Sequence, residues 1–238
     1  MFKIYVLFAI FSFSLFSQTN AKFVYGIAAV EDSASKLNDM MESMNPNYKS
    51  TLANLNFNLI SNKNDIACFA FQGDKNNYDS SVKMFLSLSG YNSIIKQIGD
   101  SIVKEQKFEQ FNKVYNIKEP IEKNWQISTE SKEIMGYLCL KATCLNTVTN
   151  SAGTFQNQII AWFCPKLPYQ FGPMGYGGLP GLIFELQTKR AIFGLKKIEL
   201  DSKEPICEIN FNNENITSKK LDEEITRLHE LKVQLMKK

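Results

Sequence analysis

Between residues 108 and 211 the chain breaks into short apolar or alternating segments separated by turn residues, and this spacing constrains the fold most. Segments at 108–114, 125–128, 136–147, 156–164, 182–188, 191–200 and 207–211 read as strands. The short spacings of turn residues favour antiparallel meanders over β-α-β crossovers, so neighbouring strands are predicted to turn back on one another. Upstream, 23–30 reads as a first strand. Residues 32–44 carry Leu37, Met40, Met41 and Met44 at amphipathic-helix spacing, ended by Asn45-Pro46. Segments 52–60 and 66–71 read as strands about the turn 62–65. Residues 82–103 carry both periods: Phe85, Leu86 and Leu88 suit a strand, whereas Ile94, Ile95, Ile98 and Ile102 suit a short helix. The last segment, 218–238, is helical, with a stripe of Leu221, Ile225, Leu228 and Leu235. The predicted fold is therefore mainly β: a curved antiparallel sheet or open half-barrel, with one helix near the N-terminus and another at the C-terminus.

Lys3, the apolar run 4–16 and then Thr19-Asn20-Ala21 have the layout of a cleavable secretory signal, with cleavage expected before Lys22. The run is shorter than the ~20 residues a helix needs to cross a bilayer. No second long apolar run follows. The expected organisation is a signal peptide at 1–21 and a single β domain at 22–238, periplasmic or secreted. With 27 Lys and Arg against 24 Asp and Glu, the charge is too balanced to suggest nucleic acid as a partner. Five cysteines in an exported chain imply disulfides with one thiol left over. There is no C-x-x-C and His229 is the only histidine, so neither a metal nor another cofactor is expected. That lone imidazole sits in a charged helix and reads as a solvated residue rather than a catalytic base.

The densest signal is the hexapeptide Gly178-Leu179-Pro180-Gly181-Leu182-Ile183. Pro180 and Gly181 fit positions i+1 and i+2 of a type II turn, which leads into a strand carrying Leu182, Phe184 and Leu186 on one face. Gly172, Gly175 and Gly177 allow the preceding backbone to bend tightly or approach a neighbour closely. A phosphate loop would need a following helix and a Lys-Ser/Thr pair, and both are missing. Trp162, Tyr169, Phe171, Tyr176 and Phe184 surround the loop, with Glu185 beside them. They constitute either a ligand surface, apolar or suited to sugar stacking, or the packing of the core where the loop crosses it.

Several motifs occur in one order: Ile134-Met135-Gly136-Tyr137-x-Cys139-x-Lys141-Ala142, then Ala161-Trp162-Phe163 with Pro165, then Phe171-Gly172-Pro173, then the hexapeptide. With Trp125-Gln126-Ile127 upstream, this order resembles the GLPGLI family of exported Bacteroidetes proteins. It is also similar to the N-terminal accessory domain of some secreted peptide:N-glycanases. The resemblance implies a mainly β exported protein and supplies no catalytic residues. Cys144, Cys164 and the C-terminal helix depart from the family pattern.

A hairpin with 150–153 as its loop sets Thr149 opposite Thr154 and hence Cys139 opposite Cys164, where a disulfide is expected. Cys144 points to the other face and is left for Cys68 or Cys207. Three functions fit these residues. The first is a non-catalytic envelope protein binding an apolar, glycan or peptide ligand. The second is a carboxylate-dependent hydrolase, and the third is a docking module of an outer-membrane assembly.

Overall fold

The computed structural model describes residues 19–31, 35–62, 65–74, 77–91, 93–108, 112–122, 124–150 and 153–236. The elements are β1 (Asn20–Ala29), α1 (Ser35–Met44), α2 (Tyr48–Asn54), β2 (Phe57–Ser61), β3 (Ile66–Phe71), α3 (Ser80–Leu88), β4 (Ile95–Ile98) and β5 (Ser101–Phe108). They continue with β6 (Lys113–Pro120), β7 (Gln126–Ile134), β8 (Tyr137–Asn150), β9 (Gly153–Cys164), β10 (Leu182–Gln187), β11 (Ala191–Ser202), β12 (Glu214–Ile216) and α4 (Ser218–Met236). The strands form one open 12-stranded sheet in the order β12-β6-β5-β4-β3-β2-β1-β11-β10-β9-β8-β7. Every pairing is antiparallel except β12 with β6. The mainly β class, the open sheet and both terminal-region helices are as predicted.

Alternation explains how the sheet buries its core. Phe23, Tyr25, Leu59, Phe69, Leu186, Phe193 and Ala161 sit at inward positions of successive strands and are all nearly inaccessible. Helices α1 to α3 add Met41, Tyr48, Leu52, Val82, Phe85 and Leu86 to the same cluster. Burying one large apolar side chain contributes about 1.5–3 kcal/mol, so this face organises the molecule. The sheet curls about it until Ile102, Lys104 and Glu119 of the β5–β6 arm share a cleft with Leu145, Asn146 and Thr147 of β8.

Several segments differ from their sequence reading; 108–114 is not one strand, since β5 ends at Phe108 and β6 begins at its partner Lys113. Residues 48–54 form α2, because Tyr48 and Leu52 lie one helical turn apart and bury together; only the end of the 52–60 segment is strand. The ambiguous stretch 82–103 resolves opposite to its local periods. Asp79 caps α3 by accepting from the Ser81 and Val82 amides, and Ile95 and Ile102 fall in β4 and β5 about a two-residue turn. Residues 129–133, beyond the segment 125–128 read as a strand, continue β7. The chain reverses at Met135 and Gly136, both at positive φ, between the paired Ile134 and Tyr137.

Residues 207–211 are not a strand. They belong to a strap between β11 and β12 that crosses the outer face of the sheet. Glu204 pairs with Lys22, Lys96 Nζ donates to the Cys207 carbonyl at 3.1 Å, and Asn116 donates to the Asn210 carbonyl at 2.9 Å. A disulfide joins Cys207 to Cys68 on β3.

The expected Cys139–Cys164 bridge is absent, and both residues are buried free thiols, as is Cys144. The register behind that expectation is present: Thr149 pairs with Thr154, and the ladder runs to Leu140 and Phe163. The Cys139 thiol lies within hydrogen-bonding reach of Cys164. Burial first, and then that neighbour, push its pKa up to about 12. Cys68 and Cys207 take the bond because the strap brings them together from opposite ends of the sequence. Most of the expected leader lies outside the described residues, although β1 already includes Asn20 and Ala21. No helix among the described residues is long and apolar enough to cross a membrane.

Candidate functional site

The hexapeptide is a structural plug. Leu179, Leu182 and Ile183 are fully buried, and the Ile183 carbonyl accepts from the Tyr25 hydroxyl at 2.6 Å. The indole of Trp125 donates to the Gly177 carbonyl at 2.9 Å, tying the β7 arm to the same loop. A type II turn is not formed: Gly181 N–H bonds back to Leu179 O, while Leu182 N–H goes to Leu167 O. Gly181 is required for a different reason. A Cβ there would lie 2.2 Å from the carbonyl oxygen of Cys164 and 2.9 Å from Cα of Pro165.

The aromatic residues around the loop do not converge on one surface. Phe171 and Phe184 are core, and Tyr169 packs edge-on against Phe23 with ring centroids 5.1 Å apart. Trp162 and Glu185 pair across β9 and β10 on the outer face. There Lys132 joins them, with Nζ 2.9 Å from the Glu185 carboxylate and 4.4 Å from the Trp162 ring centroid. Core packing thus accounts for most of the rings, and Tyr176 reaches a cleft.

That cleft is the trough between the two arms. Two adjoining cavities of about 510 and 250 Å³ share Lys104, Asn146, Met174 and Tyr176. Lys104 and Glu119 come from inward positions of β5 and β6. Asn146 and Asn157 face each other across β8 and β9 on the opposite wall. Met174 and Gly175, from a single helical turn at Pro173–Gly175, form the floor with Tyr176. Glu122 and Asn124 stand at the rim. The amine of Lys104 is drawn into the wall, so burial lowers its pKa. Glu119, 4.0 Å away, only partly opposes this. The Tyr176 hydroxyl is held above its ordinary value by burial first, then by Cys144 and Glu122, while its hydrogen bond from Asn146 acts the other way.

The sequence reading missed Lys104, Glu119, Asn146 and Asn157. The available signal was a polar side chain at an inward position of a strand, as where Lys104 follows Ile102 on the core face. Among the described residues no cluster of three or more His, Cys, Asp or Glu is placed to hold a metal. The side chain of His229 lies outside the described residues.

Residues 153–185, which run from the start of β9 through the hexapeptide into β10, match a family described as a protein of unknown function (Porph_ging). No curated protein matches the chain. Among solved structures the chain is similar to PNGF-II in two crystal forms, each at 14% identity and a TM-score of 0.48 over 84% of this chain. The chain spans about a third of the length of those proteins: the matched part covers 31% and 30% of them.

Proposed function

We propose that this chain is an exported, non-catalytic cell-envelope protein of the GLPGLI type that holds a hydroxyl-rich ligand of the glycan class in the trough. The observation that carries this reading is the lining. Asn146 and Asn157 on one wall and Lys104 and Glu119 on the other offer donors and acceptors, and Tyr176 offers one aromatic ring. Such a set suits a polar ring with hydroxyls at its edge better than an acyl chain, which would leave buried polar groups unpaired. A volume of about 510 Å³ is in the range of small-molecule sites. The Cys68–Cys207 bond fits an oxidising compartment and the expected leader.

Native mass spectrometry of protein purified from its own host, with a glycan array as the second measurement, tests the reading. The parent is expected to retain or select glycans, and Lys104→Met and Asn146→Ala are expected to lose them about tenfold or more. A retained lipid, or no glycan binding by folded protein, would overturn it.

The same lysine gives a check on folding. Because burial lowers its pKa in the folded state, the unfolded chain keeps that proton to higher pH. Its unfavourable contribution is therefore full at neutral pH and disappears as pH rises towards the ordinary lysine value of 10.5. Lys104→Met is expected to melt above the parent at pH 7. The gap should close towards pH 10. A gap that is constant with pH would show that Lys104 is not desolvated.

A further inference from the structure

The two cavities of the trough differ in charge. The larger is lined by Glu119 and Glu122 as well as Lys104. The smaller, of about 250 Å³, has Lys104, Lys189 and Arg190 in its lining and no carboxylate among the described residues. Lys104 belongs to both, and Glu119 approaches its amine only to 4.0 Å. The trough therefore runs from an end that holds carboxylates to an end that holds cations.

Helix α3 ends at the smaller cavity, which Leu88, Ser89 and Gly90 help to line. A helix C-terminus ordinarily presents four carbonyl oxygens that repel an anion. Here all four are taken. Phe85 O accepts from Ser89 N–H, Leu86 O from Tyr91 N–H and Ser87 O from Gly90 N–H, while Leu88 O accepts from Arg190 Nη1 at 2.7 Å. That bond uses one nitrogen of the guanidinium, and Nε and Nη2 make none among the described residues. Ser89 is only 8% exposed, and its hydroxyl finds no partner among the described residues. A buried hydroxyl of this kind is costly until an acceptor reaches it.

We infer that the smaller cavity binds the carboxylate of an acidic sugar, so that the ligand is a uronic- or sialic-acid glycan whose neutral part extends past Tyr176 into the larger cavity. This rests on the glycan reading of the trough and adds the ligand's charge and direction. A carboxylate has two acceptor oxygens in the plane that a guanidinium fork matches. It also accepts from the Ser89 hydroxyl and stands beside Lys104, whose amine is otherwise desolvated with only a distant counter-charge. At the other end Glu119 and Glu122 repel the acid group and accept from sugar hydroxyls, which selects one direction of binding.

The test is a glycan array, probed with the full exported chain, that carries uronic- and sialic-acid glycans beside the carboxyl methyl esters of the same glycans. The acids are expected to bind about tenfold or more tightly than their esters, which keep every ring and hydroxyl. The preference should shrink as salt rises, and the acid that binds identifies the sugar. Arg190→Gln keeps a donor for Leu88 O but loses the charge and the fork, and is expected to lose the preference for acid over ester; Arg190→Lys should restore only part of it. Ser89→Ala removes a hydroxyl that has no partner in the fold, so it is expected to weaken acid binding about fivefold while melting no lower than the parent. Equal binding of acid and ester, or an acid preference that survives in both Arg190→Gln and Ser89→Ala, would overturn the inference and leave the glycan reading standing. No glycan bound by folded protein would overturn both.

Discussion

Gly181→Ala is expected to be the most damaging single methyl group that can be added to this chain. The new Cβ would fall 2.2 Å from the Cys164 carbonyl oxygen and 2.6 Å from its carbon. Both are backbone atoms held by the pairing of Leu182 with Cys164, so no side-chain rotation relieves the clash. The loop would have to move away from β9, and Leu179, Leu182 and Ile183 would lose their packing with it. Overpacking of this kind costs about 3 kcal/mol or more. In a domain of this size that lowers the melting temperature by about 6–12 °C. Gly194 is the control, because a Cβ there meets nothing within 4 Å. Gly194→Ala is expected to leave the melting temperature within a few degrees. Equal melting of the two variants would show that the hexapeptide does not pack as described.

Removing the disulfide is expected to cost as much again. The bond between Cys68 and Cys207 closes a loop of 139 residues. On the chain-entropy account, opening a loop of that length destabilises the fold by ~5 kcal/mol. The double variant Cys68→Ser/Cys207→Ser is the cleaner test because it leaves no new thiol. Melting should drop steeply, and reductant should bring the parent to the same value. Peptide mapping without reduction should link Cys68 to Cys207. Unchanged melting in reductant, or Cys68 linked elsewhere, would rule out this role for the bond. The strap has few other fixed points, among them the pair Lys22–Glu204 and the bonds from Lys96 and Asn116. Its loosening should therefore show first in β12 and α4.

Local pattern determined much of this protein. Period-two alternation is enough to identify β3, β8, β9, β10 and β11, since a one-residue slip would turn every buried side chain outward. It also fixed the β8–β9 register: the pairing Thr149 with Thr154 follows from the turn residues and recurs in the structure. The density of glycines before the hexapeptide marked a close backbone approach, although the reason at Gly181 is a clash with Cys164 rather than a type II turn. Where two periods overlapped, as at 82–103, only tertiary contact decided. Phe85 and Leu86 become helical because the inner face of the sheet offers a surface for a helix stripe, and Ile95 and Ile102 become strand because β3 offers an edge.

The candidate site belonged wholly to that second kind of information. Lys104 and Asn146 lie on strands at opposite arms of the sheet and meet only because the sheet curls round the aromatic core. Cys68 finds Cys207 only because the strap crosses the outer face. Sequence spacing specifies which face of a strand a residue occupies. Which faces then meet depends on the summed twist and packing of every strand between them, a property no local window contains.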